Sequence, residues 1–301
     1  MMDDEFKFEG RLSPLHIHRS NIESSSTRIA PERGKILNNL IQQHGIRYEF
    51  DHAKGFGLRV IIPDKLIKLS IRALEFLWIS SYFYVVSHDY YVQQQRFLLD
   101  KLGEYPLMYP ALDPEWNSAA QLLLWSKRNL TSNLFEEWPK GYPKPNQNRP
   151  EGSLLHQADE AFLCAIAWII HHEIGHITLN HGSLMTVRSR DEESEADDRA
   201  TEWVLDSVTD PEMITKRSYG VVTALMAVRG FSKGGVTHPE PEERLYKFLY
   251  SPAILNNESV RMFASVSMQL QSAAFGHSLS GRSDSIEDVL SGLLNGSIQL
   301  P

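Results

Sequence analysis

FLCAIAWIIHHEIGH, residues 162–176, is the stretch on which the reading of this chain turns. It is apolar for most of its length and closes on His172, Glu173 and His176, an HExxH pattern. An apolar run with such an ending predicts a buried helix that carries chemistry. Histidines four residues apart stand one helical turn from each other on one face, so both rings can reach one ion. Glu173 sits at the edge of that face, where it can take a proton from a water polarised by the metal. Five residues are a weak signal alone, so the rest of the chain must supply what a catalytic site still needs.

A catalytic zinc keeps three protein ligands and one water. Seventeen residues after His176 comes Glu193, at the start of the next predicted helix, within Glu192-Glu193-Ser194-Glu195-Ala196-Asp197-Asp198. Glu193 and Asp197 lie one turn apart and share a face with Ala200 and Val204, which can pack on the first helix. Glu193 is therefore the expected third ligand, with Glu195 as its rival on another side of the helix. Asp197 is expected to accept the N–H of a ligand histidine and fix its tautomer. Read alone, Asp191–Asp198 is a solvated acidic face at a helix start; the HExxH upstream changes that reading. With one Zn2+ per chain, the attacking water loses its proton to Glu173, which returns it to the leaving amine, as in peptide hydrolysis. His238, in Thr237-His238-Pro239, reads as an oxyanion stabiliser or an exchangeable fourth ligand, and Arg244 as a group holding the loop or the substrate. His171 and His181 flank the motif and read as structural.

The formal charge of -8 and a pI near 5.8 give no electrostatic case for nucleic acid. The single cysteine, Cys164, reads as a small buried hydrophobe in a reducing compartment, and no disulfide can form within the chain. The N-terminus, MMDDEFKFEGRL, lacks the order of a signal peptide. The apolar stretches Phe76–Ser87 and Ala161–Ile170 fall short of the roughly 20 residues that span a bilayer. A cytoplasmic protein with no membrane or nucleic-acid partner is expected.

Residues 1–28, with Ser24, Ser25 and Ser26 near their end, read as a loosely ordered arm. A helix is predicted from Pro31 to Gln43, then strands at Ile46–Asp51, Gly57–Ile62 and Leu66–Leu69. A long helix follows from Ile71 to about Gln95, with Leu74, Leu77, Trp78, Ser81, Val85 and Tyr91 close to one face. Another spans Ser118–Asn129. Trp138–Pro150 has four prolines in 13 residues and must be extended. Helices are then predicted near 154–181, 190–208, 212–230, 239–250, 254–276 and 284–295. Gly182 is placed to end the first of these, and Ser189 with Glu192 forms a capping box for the second. The class is α+β, predominantly helical, with a small N-terminal β-sheet.

Two resemblances enter at these residues. HExxH, then ExxAD at Glu193–Asp197, then THPxxxxR at Thr237–Arg244, resembles gluzincin metallopeptidases of the CaaX-protease and heat-shock-protease class. The chain is more closely similar to the phage exclusion protein Lit family, through IAPERGK (29–35), LEFLWISSYF (74–83), LLLWSKRNL (122–130), WPKGYPKP (138–145), FLCAIAWIIHHEIGH (162–176) and EADDRATEW (195–203). The resemblance implies a single zincin-like peptidase domain over 29–301, with a sheet-bearing part at 29–150 and a helical part with the metal site at 151–301. It further implies a bacterial zinc peptidase of phage defence, dormant until a phage head-protein peptide triggers cleavage of host elongation factor Tu. A non-catalytic phage-peptide sensor and a regulatory peptidase cleaving a repressor are the competing readings. Gly57–Ile62 is the expected edge along which a substrate strand is added.

Overall fold

In a computed structural model, residues 4–92, 113–182, 189–231 and 239–275 are described. The expected helix at 284–295 and His238 lie outside them. Among the described residues the chain is mostly helical, with two small sheets.

The chain opens with a hairpin, β1 (Lys7–Phe8) and β2 (Arg11–Leu12), turned at Glu9 and Gly10 with φ of 49° and 81°. Helix α1 (Arg19–Ile29) follows. Residues 4–28 were expected to form a loosely ordered arm, and the structure corrects this: Phe6, Leu15 and Ile22 are fully buried. Two local facts explain it. The serines turn their hydroxyls back onto the helix, Ser25 Oγ to Ile22 O at 2.8 Å and Ser24 Oγ to Ser20 O at 2.7 Å, so a serine-rich run can pack. His18 Nε2 meets the buried Asp159 carboxylate at 2.9 Å, and Trp78 Nε1 donates to the same oxygen at 2.6 Å. One carboxylate thereby ties three segments together.

Helix α2 (Gly34–His44) ends at Gly45, whose φ of 64° fits the left-handed turn into β3 (Arg47–Asp51). β4 (Leu58–Ile61) and β5 (Leu66–Ser70) complete a three-stranded sheet in the order β3-β5-β4. β5 runs parallel to β3 and antiparallel to β4, with Val60 opposite Ile67 and Leu58 opposite Leu69. Those four side chains share the buried face, while Arg59 and Lys68 stand on the other. β4 is therefore an edge strand, as the sequence suggests for this run.

α3 (Ile71–Tyr90) leaves β5 directly and is buried on all sides from Ile71 to Ser87, rather than along the single face expected. Apolar residues occur on every side of it, and the few polar ones, Arg72, Glu75, Ser80, Ser81 and Ser87, are buried with them, so no face is left to meet water. α4 (Pro114–Thr131), capped by Asp113, packs along α3. The segment from Trp138 to Pro150 is irregular, yet Trp138 is held between Trp78 and Trp125 at ring separations of 5.8 and 5.7 Å.

At the centre is α5 (Leu154–Thr178), 25 residues long, packed by α1, α3, α6 (Arg190–Leu205) and α7 (Pro211–Phe231). By length and composition α5 could cross a membrane, but 89% of its apolar window is buried inside the fold. Its fully buried Phe162, Ile166 and Ile170 each contribute about 1.5–3 kcal/mol. α7 approaches closely because Gly220 faces Cys164 and Ala165. α8 (Pro241–Leu249) and α9 (Glu258–Ala274) close the helical side.

Candidate metal centre

α5 carries His172, Glu173 and His176 in its last two turns, and all three are buried. α6 reaches them because its contact face is small. Ala196 and Ala200 are fully buried, and a Cβ placed on Gly175 would lie 3.5 Å from Ala196 Cα. The capping box of Ser189 and Glu192 starts α6 where the sequence predicts it, so its first turn faces α5. Glu193 and Asp197 then point inward, one turn apart.

The Nε2 atoms of His172 and His176 are 3.1 Å apart. Glu193 presents one oxygen 3.4 Å from His172 Nε2 and the other 3.6 Å from His176 Nε2. One donor atom from each of these residues falls within 4.8 Å of the others, a cluster that could hold a metal ion. The Glu195 carboxylate is 62% exposed and turns to His181 instead. Glu193 is thus the acid that α6 brings to the two histidines.

The electrostatics test whether these donors fit a cation. Asp197 Oδ1 lies 2.8 Å from His172 Nδ1, and a carboxylate can only accept. A neutral His172 therefore holds its proton on Nδ1 and turns a lone pair toward His176 and Glu193. Burial would push His172 down, but the Asp197 and Glu193 carboxylates raise it to about 9. Positive charge is thus favoured at this point of the protein. Two imidazole nitrogens and a carboxylate oxygen are also the donor types that a divalent ion such as zinc takes.

Asp197 is itself held by a fork: Arg244 Nε and Nη2 donate to its two oxygens at 2.7 and 2.6 Å. Burial would raise the Asp197 carboxyl, but Arg244 and His172 more than offset this and hold it well below the usual carboxylate range. Arg244, expected to hold the loop or the substrate, is committed to Asp197 and also lies over Trp168 at 5.9 Å. Glu173 is placed by the sheet: its Oε2 accepts the backbone N–H of Val60, on edge strand β4, at 2.9 Å.

His172, Glu173, Glu193 and Arg244 line a cleft of about 230 Å³. Phe56, Leu58 and Arg59 form one wall, Trp168 and Ile169 another, and Val228 and Phe231 a third. Neither Arg59 nor Val60 N–H stands out in the sequence, because their place depends on which side of β4 faces α5.

His171 is buried, stacks on Trp203 and contacts Ser26 O at 3.1 Å, away from the cluster. His181 is different: its Nδ1 lies 2.8 Å from His176 Nδ1. The helix was expected to end at Gly182, but it stops at Thr178, and Asn180 takes the left-handed turn at φ 58°. That earlier turn folds His181 back. Asn180 ahead of His181-Gly182 was the available signal, since asparagine tolerates this conformation.

Comparison with known proteins agrees with the segment resemblances. The family model described as Peptidase U49 matches residues 67–264. The chain is 32% identical over 271 residues to the "Cell death peptidase" of Escherichia coli (strain K12), covering 85% of this chain and 88% of that protein. No solved structure matches the chain. The family match takes in most of β5, the HExxH helix and the helix of Glu193 together, and the chain belongs to the peptidase U49 family, the Lit-type peptidases whose segments it resembles.

Proposed function

We propose that this protein is a zinc-dependent endopeptidase of zincin-like fold, working in the cytoplasm in phage defence. The observation that carries the proposal is the clustering of His172, His176 and Glu193, with His172 and Glu193 lining one cleft together with Glu173. His172, His176 and Glu193 would hold the ion. When bound, zinc would polarise a peptide carbonyl and acidify a water. Glu173, steadied by Val60 N–H, takes the proton of the attacking water and passes it to the departing amine. Asp197 and Arg244 hold the ring of His172. His238 steadies the oxyanion or serves as an exchangeable fourth ligand.

Substrate lies along β4 as an added strand, since this edge borders the cleft through Leu58 and Arg59. By family resemblance the substrate is elongation factor Tu, and the trigger is a phage head-protein peptide. The test is zinc content measured beside cleavage of elongation factor Tu, with and without that peptide. Glu173→Gln should keep zinc and lower cleavage by about 100-fold or more. Toxicity retained in Glu173→Gln would favour a sensor instead, and shortening of a repressor but not of elongation factor Tu would favour a regulatory peptidase.

A further inference from the structure

We propose that His181 and Glu195 form a positioning pair that fixes the proton of His176 on Nδ1, leaving Nε2 free to bind metal. The proposal rests on reading His172, His176 and Glu193 as the ligand set. The geometry begins at the end of α5. His181 N donates to His176 O at 3.0 Å and Asn180 N to Ile177 O at 3.2 Å, a Schellman turn built on Asn180. This turn lays the His181 ring against His176, with centroids 5.0 Å apart and planes at 69°. His181 is only 4% exposed, so the contact is sheltered from water.

The proton positions follow from the partners. Glu195 Oε2 lies 3.2 Å from His181 Nε2, and a carboxylate only accepts, so Nε2 of His181 carries a hydrogen. A neutral His181 then presents a lone pair at Nδ1. His176 Nδ1 is 2.8 Å from it, and one of the two must donate. The donor is therefore His176. Its Nε2 is left as a lone pair facing His172 Nε2 at 3.1 Å and Glu193 at 3.6 Å. Asp197 produces the same result at His172 by direct contact. The two histidines thus reach one tautomer by different routes, one through a carboxylate and one through a carboxylate relayed by a second imidazole. Glu195, the sequence rival of Glu193, acquires a role outside the ligand set.

The experiment compares zinc affinity, by competition with a chromophoric chelator, in the parent, His181→Ala, His181→Asn and Glu195→Ala. His181→Ala should weaken zinc binding about 10–100-fold, the usual effect of losing such a partner. His181→Asn places an amide oxygen near the position of Nδ1 and should recover most of that loss. Glu195→Ala, a change at the surface, should weaken binding by less. Imidazole ¹H–¹⁵N spectra of the metal-free parent should show His176 protonated on Nδ1 and His181 on Nε2. Unchanged zinc affinity in folded His181→Ala, or His176 protonated on Nε2, overturns the proposal. A parent that binds no zinc overturns the metal centre, while the tautomer spectrum still decides the role of His181. If His181→Ala does not fold, Glu195→Ala and the spectrum carry the test.

Discussion

Replacing Arg244 by methionine removes the fork on Asp197 while keeping the length of the stem over Trp168. The Arg244 and Asp197 side chains are 9% and 12% exposed, so the pair lies inside the protein. An exposed ion pair is worth about 0–1 kcal/mol, but stranding one partner of a buried pair costs about 3–5 kcal/mol. His172 still contacts Asp197 at 2.8 Å, which places the expected loss near the lower end, about 3 kcal/mol. Urea denaturation of the metal-free parent, Arg244→Met, Asp197→Asn and the double variant measures this. The double variant strands no charge, so the cycle should give a coupling of about 2 kcal/mol. The acid limb supplies a second reading. Asp197 is held below its ordinary 3.8 when folded, so its contribution is full above that pH and lost as pH falls through the depressed folded value. Without Arg244 the folded value rises, and acid unfolding should begin at higher pH. A loss below about 1 kcal/mol with an unmoved acid limb would refute the reasoning, because the fork would then behave as an exposed pair.

Three other outcomes follow from the structure. Val60→Pro removes the N–H that Glu173 accepts, but that N–H faces away from β5, so the edge strand should survive; the activity of the zinc-loaded enzyme should fall about tenfold or more, and full activity would show that Glu173 needs no such anchor. Burial lifts the Glu75 carboxyl to about 7 against the pull of Ser13 and Arg72. Its contribution is thus full below pH 4.5 and lost as pH rises through 7, a change of about 3 kcal/mol; Glu75→Gln should flatten the thermal midpoint between pH 5 and 8, and an unaltered slope would count against it. At Gly220 a Cβ would sit 2.2 Å from Cys164 Cβ and 2.9 Å from the Cys164 carbonyl carbon, so Gly220→Ala must push α5 from α7 and cost at least about 1–3 kcal/mol. Gly175→Ala meets Ala196 Cα at an ordinary 3.5 Å and should change stability by no more than about 1 kcal/mol, in either direction; equal thermal midpoints for these two variants would contradict the packing described.

How much of this was legible in the sequence depends on the distance over which each feature is specified. The HExxH pair and the Glu193–Asp197 pair are set by helical spacing alone, so local sequence carries them. The three strands and the capping box at Ser189 are local too. Burial of the N-terminal residues was not legible, because it depends on Asp159 receiving His18 across the fold. Polar composition near Ser24–Ser26 pointed the other way, and only the internal bonding of the serine hydroxyls removes the conflict. The part played by His181 was hidden in the last few residues of helix length: ending α5 at Gly182 sends that ring away, whereas a turn at Asn180 returns it to His176.

The same comparison explains why the centre is assembled from two helices and a sheet edge rather than on α5 alone. One helical face can supply two ligands a turn apart, but not also the acid that opposes them or the anchor for a base beside them. α6 supplies the acids, and it can approach only where Gly175 and Ala196 leave room. β4 supplies the anchor through a main-chain N–H, which no side-chain substitution at Val60 other than proline removes. The base is therefore tied to the strand along which substrate is proposed to lie, so a displacement of β4 shifts substrate and Glu173 together. If the proposed trigger governs activity, its control can act on β4 without touching His172, His176 or Glu193. Hydrogen exchange at the amides of Leu58–Ile61, measured with and without the trigger peptide, should change if β4 is that element; identical exchange would place the control elsewhere.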